Sequence, residues 1–208
     1  MKRCVIIGGA PINNYEYIKQ NLRSDDFFIF CDSGLKHLQK LNVKPNVIVG
    51  DFDSFENPNM DVLTITLPKE KDDTDTMYGV KYALEQGFND FLLLGVVGSR
   101  LDHTLGNITI LWYLERKGAT ALIIDDYSEI EIIKNTTKYI TNKFKYFSLL
   151  NLGGSVSQVS IENAKYDLNK AQITNYYPIG VSNEVINDRF AKVEVFEGTL
   201  LLIKIFNE

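Results

Sequence analysis

The chain has 208 residues, 45% hydrophobic and 24% charged, which is the make-up of a folded globular protein rather than a disordered or fibrous one. Its net charge of −5 argues against a partner dominated by nucleic-acid phosphates. No apolar run approaches the roughly 20 residues that a membrane helix needs.

The opening "MKRCVIIGGAP" pairs a basic end with an apolar run too short for a signal peptide, so it predicts a first strand running into a glycine turn. "NYEYIKQNLR" follows as a helix with apolar positions three and four apart, then "FFIFCD" (strand), "SGLKHLQKL" (helix), "PNVIVGD" (strand) and "DVLTITLP" (short strand). "DTDTMYGVKYALEQG" predicts a helix closed by Gly87, "DFLLLGVVG" a fully buried strand, "DHTLGNITILWYLERKG" a helix closed by Gly118, and "ATALIIDD" another strand. Strands apolar on both faces, separated by helices, imply a mainly parallel sheet with helices on both faces. Cys4 and Cys31 sit in strand-like sequence without C-x-x-C spacing, which favours two buried free thiols in a cytoplasmic protein over a single disulfide.

After residue 126 the texture changes. "SEIEIIKN", "TKYIT", "KYFSLLNLGG", "SVSQVSIENA", "KYDL", "AQITNYYPIG", "FAKVEVFEG" and "TLLLIKIFNE" are short, β-rich and bounded by turn residues, the pattern of an antiparallel β-sandwich. The fold class is therefore α/β, with domains expected at 1–126 and 127–208. Charge is divided unevenly between them. Residues 1–126 carry 13 Lys and Arg against 18 Asp and Glu, while residues 127–208 carry 9 of each.

In an open parallel sheet, ligands bind at the carboxyl ends of the strands, and the acids collect there. Asp32 follows one strand, Asp51 and Asp53 follow another, and Asp72, Asp73 and Asp75 precede a helix. One such acid is explained as a turn former or helix cap. Several brought to one edge repel unless a cation sits among them, and magnesium is the hard cation suited to carboxylates and phosphates. An extended segment would point Asp51 and Asp53 the same way. "GVVGSRLDHT" adds glycines, the guanidinium of Arg100 and a helix start, all suited to phosphate. Within it, Asp102 reads either as the helix N-cap or as part of the phosphate loop. His103 reads either as a solvent-facing first-turn residue or as a ligand contact. Lys69 and Lys71 sit in a loop that can neutralise phosphate. "IIGGAP" resembles a phosphate turn without G-x-G-x-x-G spacing, and there is no Walker A, G-x-S-x-G or H-E-x-x-H pattern. His37, one of two histidines, lies in an amphipathic helix and reads as structural.

Together "CDSGLKHL", "GDFDS", "KDDTDTMYGVKYAL", "GVVGSRLDHTLGNI" and "YPIGVSNEV", in this order, resemble the thiamine pyrophosphokinase family along essentially the whole chain. The resemblance implies a catalytic α/β domain binding ATP and magnesium, then a thiamine-binding β-sandwich, in a homodimer with active sites between subunits. The implied reaction moves diphosphate from ATP to the thiamine hydroxyl and releases AMP. Carried over by motif, Asp51, Asp53 and Asp75 hold metal and act catalytically with Asp102. Asp32, Asp72, Thr74, Arg100 and His103 serve the nucleotide, and Ser182 and Asn183 serve thiamine. Some relatives have a tryptophan near the C-terminus for stacking; here the lone Trp112 lies in a first-domain helix, and the stacking partner is left between tyrosines of "NYYP" and "KYDL". Two alternatives stand beside this reading, a pterin-type hydroxymethyl diphosphokinase on the same scaffold and a non-catalytic nucleotide or thiamine sensor.

Overall fold

Alternation along the first strands explains how the sheet is covered. In the computed structural model, which describes residues 2–52, 60–68, 70, 72–154, 157–186 and 190–206, strand β1 (Cys4–Ile7) is buried throughout, as is β2 (Phe27–Cys31) apart from Phe27. Val5, Ile7, Phe28 and Phe30 join one apolar cluster with Tyr15, Tyr17 and Ile18 of helix α1 (Tyr15–Gln20) and Leu38 and Leu41 of α2 (Leu38–Leu41). The intervening residues face the other way. A Cβ added to Gly79 of α3 (Asp75–Glu85) would lie 3.2 Å from Cys31 Sγ and 3.3 Å from Ile29 Cγ2. Successive side chains of a strand point to opposite faces, so α1 and α2 cover one side and α3 the other. Each fully buried Leu, Ile or Phe adds about 1.5–3 kcal/mol of apolar burial.

The chain divides into two compact units, Met1–Asp126 and Tyr127–Glu208. Three further parallel strands, β3 (Val47–Gly50), β4 (Leu63–Thr66) and β5 (Asp90–Leu94), precede helix α4 (Leu101–Arg116) and strand β6 (Thr120–Ile124). The first unit's sheet has the order β4-β3-β2-β1-β5-β6, every pair parallel. Order reverses about β1, so the carboxyl ends of β1, β2 and β5 form a topological switch point where open sheets bind ligands.

In the second unit, β7 (Ser128–Lys134), β13 (Thr199–Phe206) and β9 (Phe144–Leu150) pair antiparallel in the order β7-β13-β9. A second antiparallel sheet runs β11-β10-β12-β8, from β8 (Thr137–Thr141), β10 (Ser157–Glu162), β11 (Leu168–Ile173) and β12 (Phe190–Glu197). Phe147, Leu149, Leu200 and Leu202 share one buried cluster with Val159, Ile161, Val193 and Val195 of the second sheet, as a sandwich requires.

Three local expectations change. The segment expected as one helix at 33–41 begins as a 3-10 turn, Asp32–His37, before α2. Close packing dictates this: a Cβ on Gly34 would come within 2.2 Å of Ile7 O. "KYDL" supplies only the first residue of β11. The Ala164 N–H donates to the Asp167 carboxylate at 3.1 Å, and Tyr166 is tied to Asn183, so the segment turns. The expected extended path after Asp51 does not continue through Phe52, which has φ +57 and packs against the first unit's core, and Asp53 lies outside the described residues. A left-handed residue reverses direction where a strand would continue.

Candidate active site

A cleft of about 380 Å³ opens at the carboxyl ends of the first unit's strands. Its glycine wall is set by sterics. Gly8 and Gly95 approach so closely that a Cβ on Gly8 would lie 2.7 Å from Gly95 O, and one on Gly95 would lie 2.5 Å from Gly8 O. Gly95 also has φ +60, a conformation glycine adopts without strain. The Gly8 N–H donates to Leu94 O at 2.9 Å and the Ala10 N–H to Gly95 O at 2.7 Å, locking the two loops together.

Asp32, Asp51 and Asp75 line the same cleft. Asp32 is buried, with φ +41, directly after β2. Such a backbone in a non-glycine residue costs of order 1–3 kcal/mol and concentrates at functional sites. Thr74 lines the cleft and caps α3, its hydroxyl accepting the Met77 N–H at 3.2 Å, so Asp75 occupies the first turn of that helix. Cys31, which donates its Sγ–H to Asp75 O at 3.5 Å, also lines the cleft. Burial first, then the Asp75 charge, raises its pKa well above the ordinary thiol value, so it stays a thiol and is no nucleophile. Cys4 is likewise buried, and both cysteines are free.

The loop before α4 faces the acids. Arg100 and His103 line the cleft with Gly98, Thr104 and Asn107. Arg100 grips Asp102 with Nε at 3.2 Å and Nη2 at 2.6 Å. That bond, the largest cause, holds the Asp102 carboxyl down to about 2. Arg100 itself occupies the N-cap position, with no side-chain cap bond, and Asp102 lies inside the helix, which corrects its reading as the cap. The loop is fixed from α4 instead: Thr104 Oγ1 is 3.1 Å from both Gly98 N and Gly98 O, and Asn107 Nδ2 donates to Val96 O at 2.8 Å.

Of the residues singled out from sequence, the cleft gathers Asp32, Asp51, Thr74, Asp75, Arg100 and His103. Asp72 and Asp102 are exposed and lie outside its lining. Asp53, Lys69 and Lys71 lie outside the described residues. Ser33, Thr76, Thr104 and Asn107 line it and were not singled out. A signal existed for two of them: positions 100, 103, 104 and 107 share one helical face. Among the described residues no three His, Cys, Asp or Glu side chains are grouped to hold a metal by themselves.

In the second unit, Ser182 is exposed with φ +57, and its N–H donates to Ser148 Oγ at 3.0 Å. Asn183 is buried and serves the fold. Its Nδ2 donates to Tyr166 O at 2.7 Å, and its Oδ1 accepts the N–H groups of Tyr166 at 3.0 Å and Glu184 at 2.9 Å. Tyr166 is itself 58% exposed, Tyr176 83% and Tyr177 66%.

Residues 18–123 match the family model of the thiamin pyrophosphokinase catalytic domain, and residues 129–200 match that of the thiamin pyrophosphokinase vitamin B1 binding domain. The chain belongs to the thiamin pyrophosphokinase family. It is thus a diphosphotransferase enzyme. A thiamine pyrophosphokinase of Bacillus subtilis is 28% identical over 217 residues, covering 98% of this chain and 99% of that one. The crystal structure of Bacillus subtilis thiamine pyrophosphokinase superposes with a TM-score of 0.85 over 100% of both chains, at 22% identity in that backbone alignment. That of Geobacillus thermodenitrificans thiamin pyrophosphokinase gives 0.82 at 24% identity, over 100% of this chain and 99% of the other. The α/β-plus-sandwich architecture is therefore that of thiamin pyrophosphokinases. Among the described residues no helix is long and apolar enough to cross a membrane.

Proposed function

We propose that this protein transfers diphosphate from ATP to the hydroxyl of thiamine with magnesium, giving thiamine diphosphate and AMP. The observation that carries the reading is the cleft itself, where glycine backbone and Arg100 stand on the same wall system as Asp32, Asp51 and Asp75. The thiamine hydroxyl oxygen forms a bond to the β-phosphorus of ATP, the bond from that phosphorus to the bridging oxygen breaks, AMP leaves with the electron pair, and the hydroxyl proton is released.

The donor set fits magnesium. It consists of hard carboxylate oxygens, among the described residues too few and too separate for an all-protein cage, and magnesium is commonly held by one or two carboxylates together with substrate phosphates. Asp51 and Asp75 would hold it, with Asp53 as the further acid of the motif, Asp32 beside them in the cleft, and Asp72 exposed at the approach to α3. Bound there, magnesium supplies positive charge against the phosphate oxygens. The protein's own contribution is position and field. Arg100 meets phosphate oxygens with the guanidinium that Asp102 orients, and Thr74 and His103 border the nucleotide. In this reading residues 1–126 form the catalytic unit and 127–208 the thiamine-binding unit. There Ser182 offers its hydroxyl to thiamine, and Asn183 holds the Ser182 turn and Tyr166, a stacking candidate, in place. The working form is a cytoplasmic homodimer, a reading supported by the free thiols and by the family resemblance, and light scattering of the purified protein tests the dimer.

Incubation with ATP, magnesium and thiamine, resolved for AMP against ADP, tests the activity. AMP formed in step with thiamine diphosphate is expected. ADP, or AMP formed only with a hydroxymethylpterin, would overturn the assignment, and ligand binding without turnover would favour a sensor.

A further inference from the structure

The glycine turn "GGAP", which the family motifs leave without a role, is held from behind by a side chain that does not reach the cleft. His37 is 2% exposed, on the 3-10 turn after β2. Its Nε2 lies 2.8 Å from Ala10 O. A carbonyl only accepts, so Nε2 carries the hydrogen and donates. Nδ1 then holds the lone pair and accepts the Tyr15 hydroxyl hydrogen, at 2.6 Å. Burial keeps His37 neutral, lowering its pKa, and the nearby Lys36 and Lys40 charges act in the same direction. The Ala10 carbonyl and Asp126 oppose them. Tyr15 is raised by burial and by Asp126, so it stays a donor.

The loop is pinned on both sides of this bond. Lys36 Nζ donates to Gly9 O. Beyond Pro11, the Asp126 carboxylate accepts the N–H groups of Asn13 at 2.9 Å and Asn14 at 2.8 Å. Within the turn, the Gly8 and Ala10 N–H groups are bonded to Leu94 O and Gly95 O, and Pro11 has none. Among the described residues the Gly9 N–H makes no hydrogen bond, and Gly9 lines the cleft. A backbone N–H at a ligand wall with nothing else to bind is a phosphate donor in waiting.

We propose that His37, clamped between Tyr15 and Ala10, is a positioning residue that fixes the Gly8–Pro11 turn so that the Gly9 N–H is presented to a phosphate oxygen of the nucleotide. The role is selective. His37 acts on the nucleotide wall, which the proposed division of ligands keeps apart from thiamine. It rests on the reading of this cleft as the ATP site.

The test is isothermal titration of the full-length protein with magnesium–ATP and, separately, with thiamine, alongside steady-state kinetics. His37→Leu keeps a side chain of comparable size but has neither donor nor acceptor, and should weaken ATP binding and raise its KM by about tenfold, the scale of one well-made hydrogen bond to a charged group. Thiamine binding should stay within twofold. His37→Gln, whose amide N–H can replace Nε2, should recover most of the loss, and Tyr15→Phe should fall between the two. Should His37→Leu fail to fold, the Gln and Phe variants still decide the matter. ATP affinity unchanged in the variants, equal losses for both substrates, or a glutamine no better than leucine would each overturn the role of His37. Wild-type protein that binds thiamine but not magnesium–ATP would instead bring down the reading of the cleft, and the proposal with it.

Discussion

At the amino ends of the first unit's strands, Arg3 donates to both carboxylate oxygens of Asp26 at 2.9 and 2.7 Å and to Asn21 O at 2.7 Å, while Arg23 reaches Asp90 at 2.9 Å. At the carboxyl ends of the same strands stand glycines in contact, left-handed backbone at Asp32, Phe52 and Gly95, and acids around a cleft. One end closes its charges on one another in ordinary conformations. The other end adopts uncommon backbone and turns polar groups toward a ligand-sized space. A single sheet thus separates paired charges from cleft-lining groups along its strands, and the two kinds of residue should fail differently when changed.

The largest effect should come from the stable end. Asp26→Ala leaves the Arg3 guanidinium buried without its carboxylate, and breaking such a buried pair costs about 3–5 kcal/mol. Urea unfolding should show that loss, while the surviving folded protein keeps a near-normal KM for both substrates. A small stability change would mean that Asn21 O and water suffice for Arg3.

Asp51→Asn should do the reverse. The volume is kept and a charge is removed from the cleft, so activity should fall by roughly a hundredfold or more, as for a lost transition-state contact of a few kcal/mol. The denaturation midpoint should barely move. Near-normal turnover at moderate magnesium would return Asp51 to the role of turn former.

Arg100→Lys keeps the charge but lacks the planar fork. The KM for ATP should rise by about tenfold, with thiamine unaffected. Identical kinetics across an ATP titration would make the Arg100–Asp102 pair, both side chains mostly exposed, a surface feature.

The smallest effect concerns pH. The pKa of His37 is lowered in the fold, chiefly by burial, from the ordinary value of 6.5. As pH falls through 6.5 the unfolded chain takes up this proton first, so the stability present above that pH declines until the pH passes the folded value. His37→Gln should flatten this part of the stability–pH curve, and an unchanged slope would place the acid sensitivity elsewhere.

Much of this was legible from residues alone. Apolar runs and helical periodicity predicted the strands of the first unit, and in β1, β2, β3 and β5 burial on both faces leaves a continuous hydrophobic signature. The helix stops at Gly87 and Gly118 carry φ +86 and +75, as their positions after the last helical turn suggested. The two-to-one distribution of acids marked the carboxyl edge through Asp32, Asp51 and Asp75. Less visible were positions where one segment must accommodate another. Nothing local announces that Gly34 lies against Ile7 O, or that Phe52 turns left-handed to reach the core.

The sequence by itself determined the order of elements, the α/β-then-β architecture and the family, since these depend on periodicity and ordered motifs that neighbouring residues carry. Tertiary structure alone decided which polar groups act together. Thr104 and Asn107 became the braces of the Gly95–Arg100 loop. Asn183, expected against thiamine, has its side chain tied to the backbone of Tyr166 and Glu184. His37, read as structural, was set behind the glycine turn with Tyr15. The physical reason is common to all three. A hydrogen bond is specified by two groups a few ångströms apart, and His37 and Ala10 are 27 positions apart in the chain, a distance closed only when β1 and β2 pair and bring their carboxyl ends together.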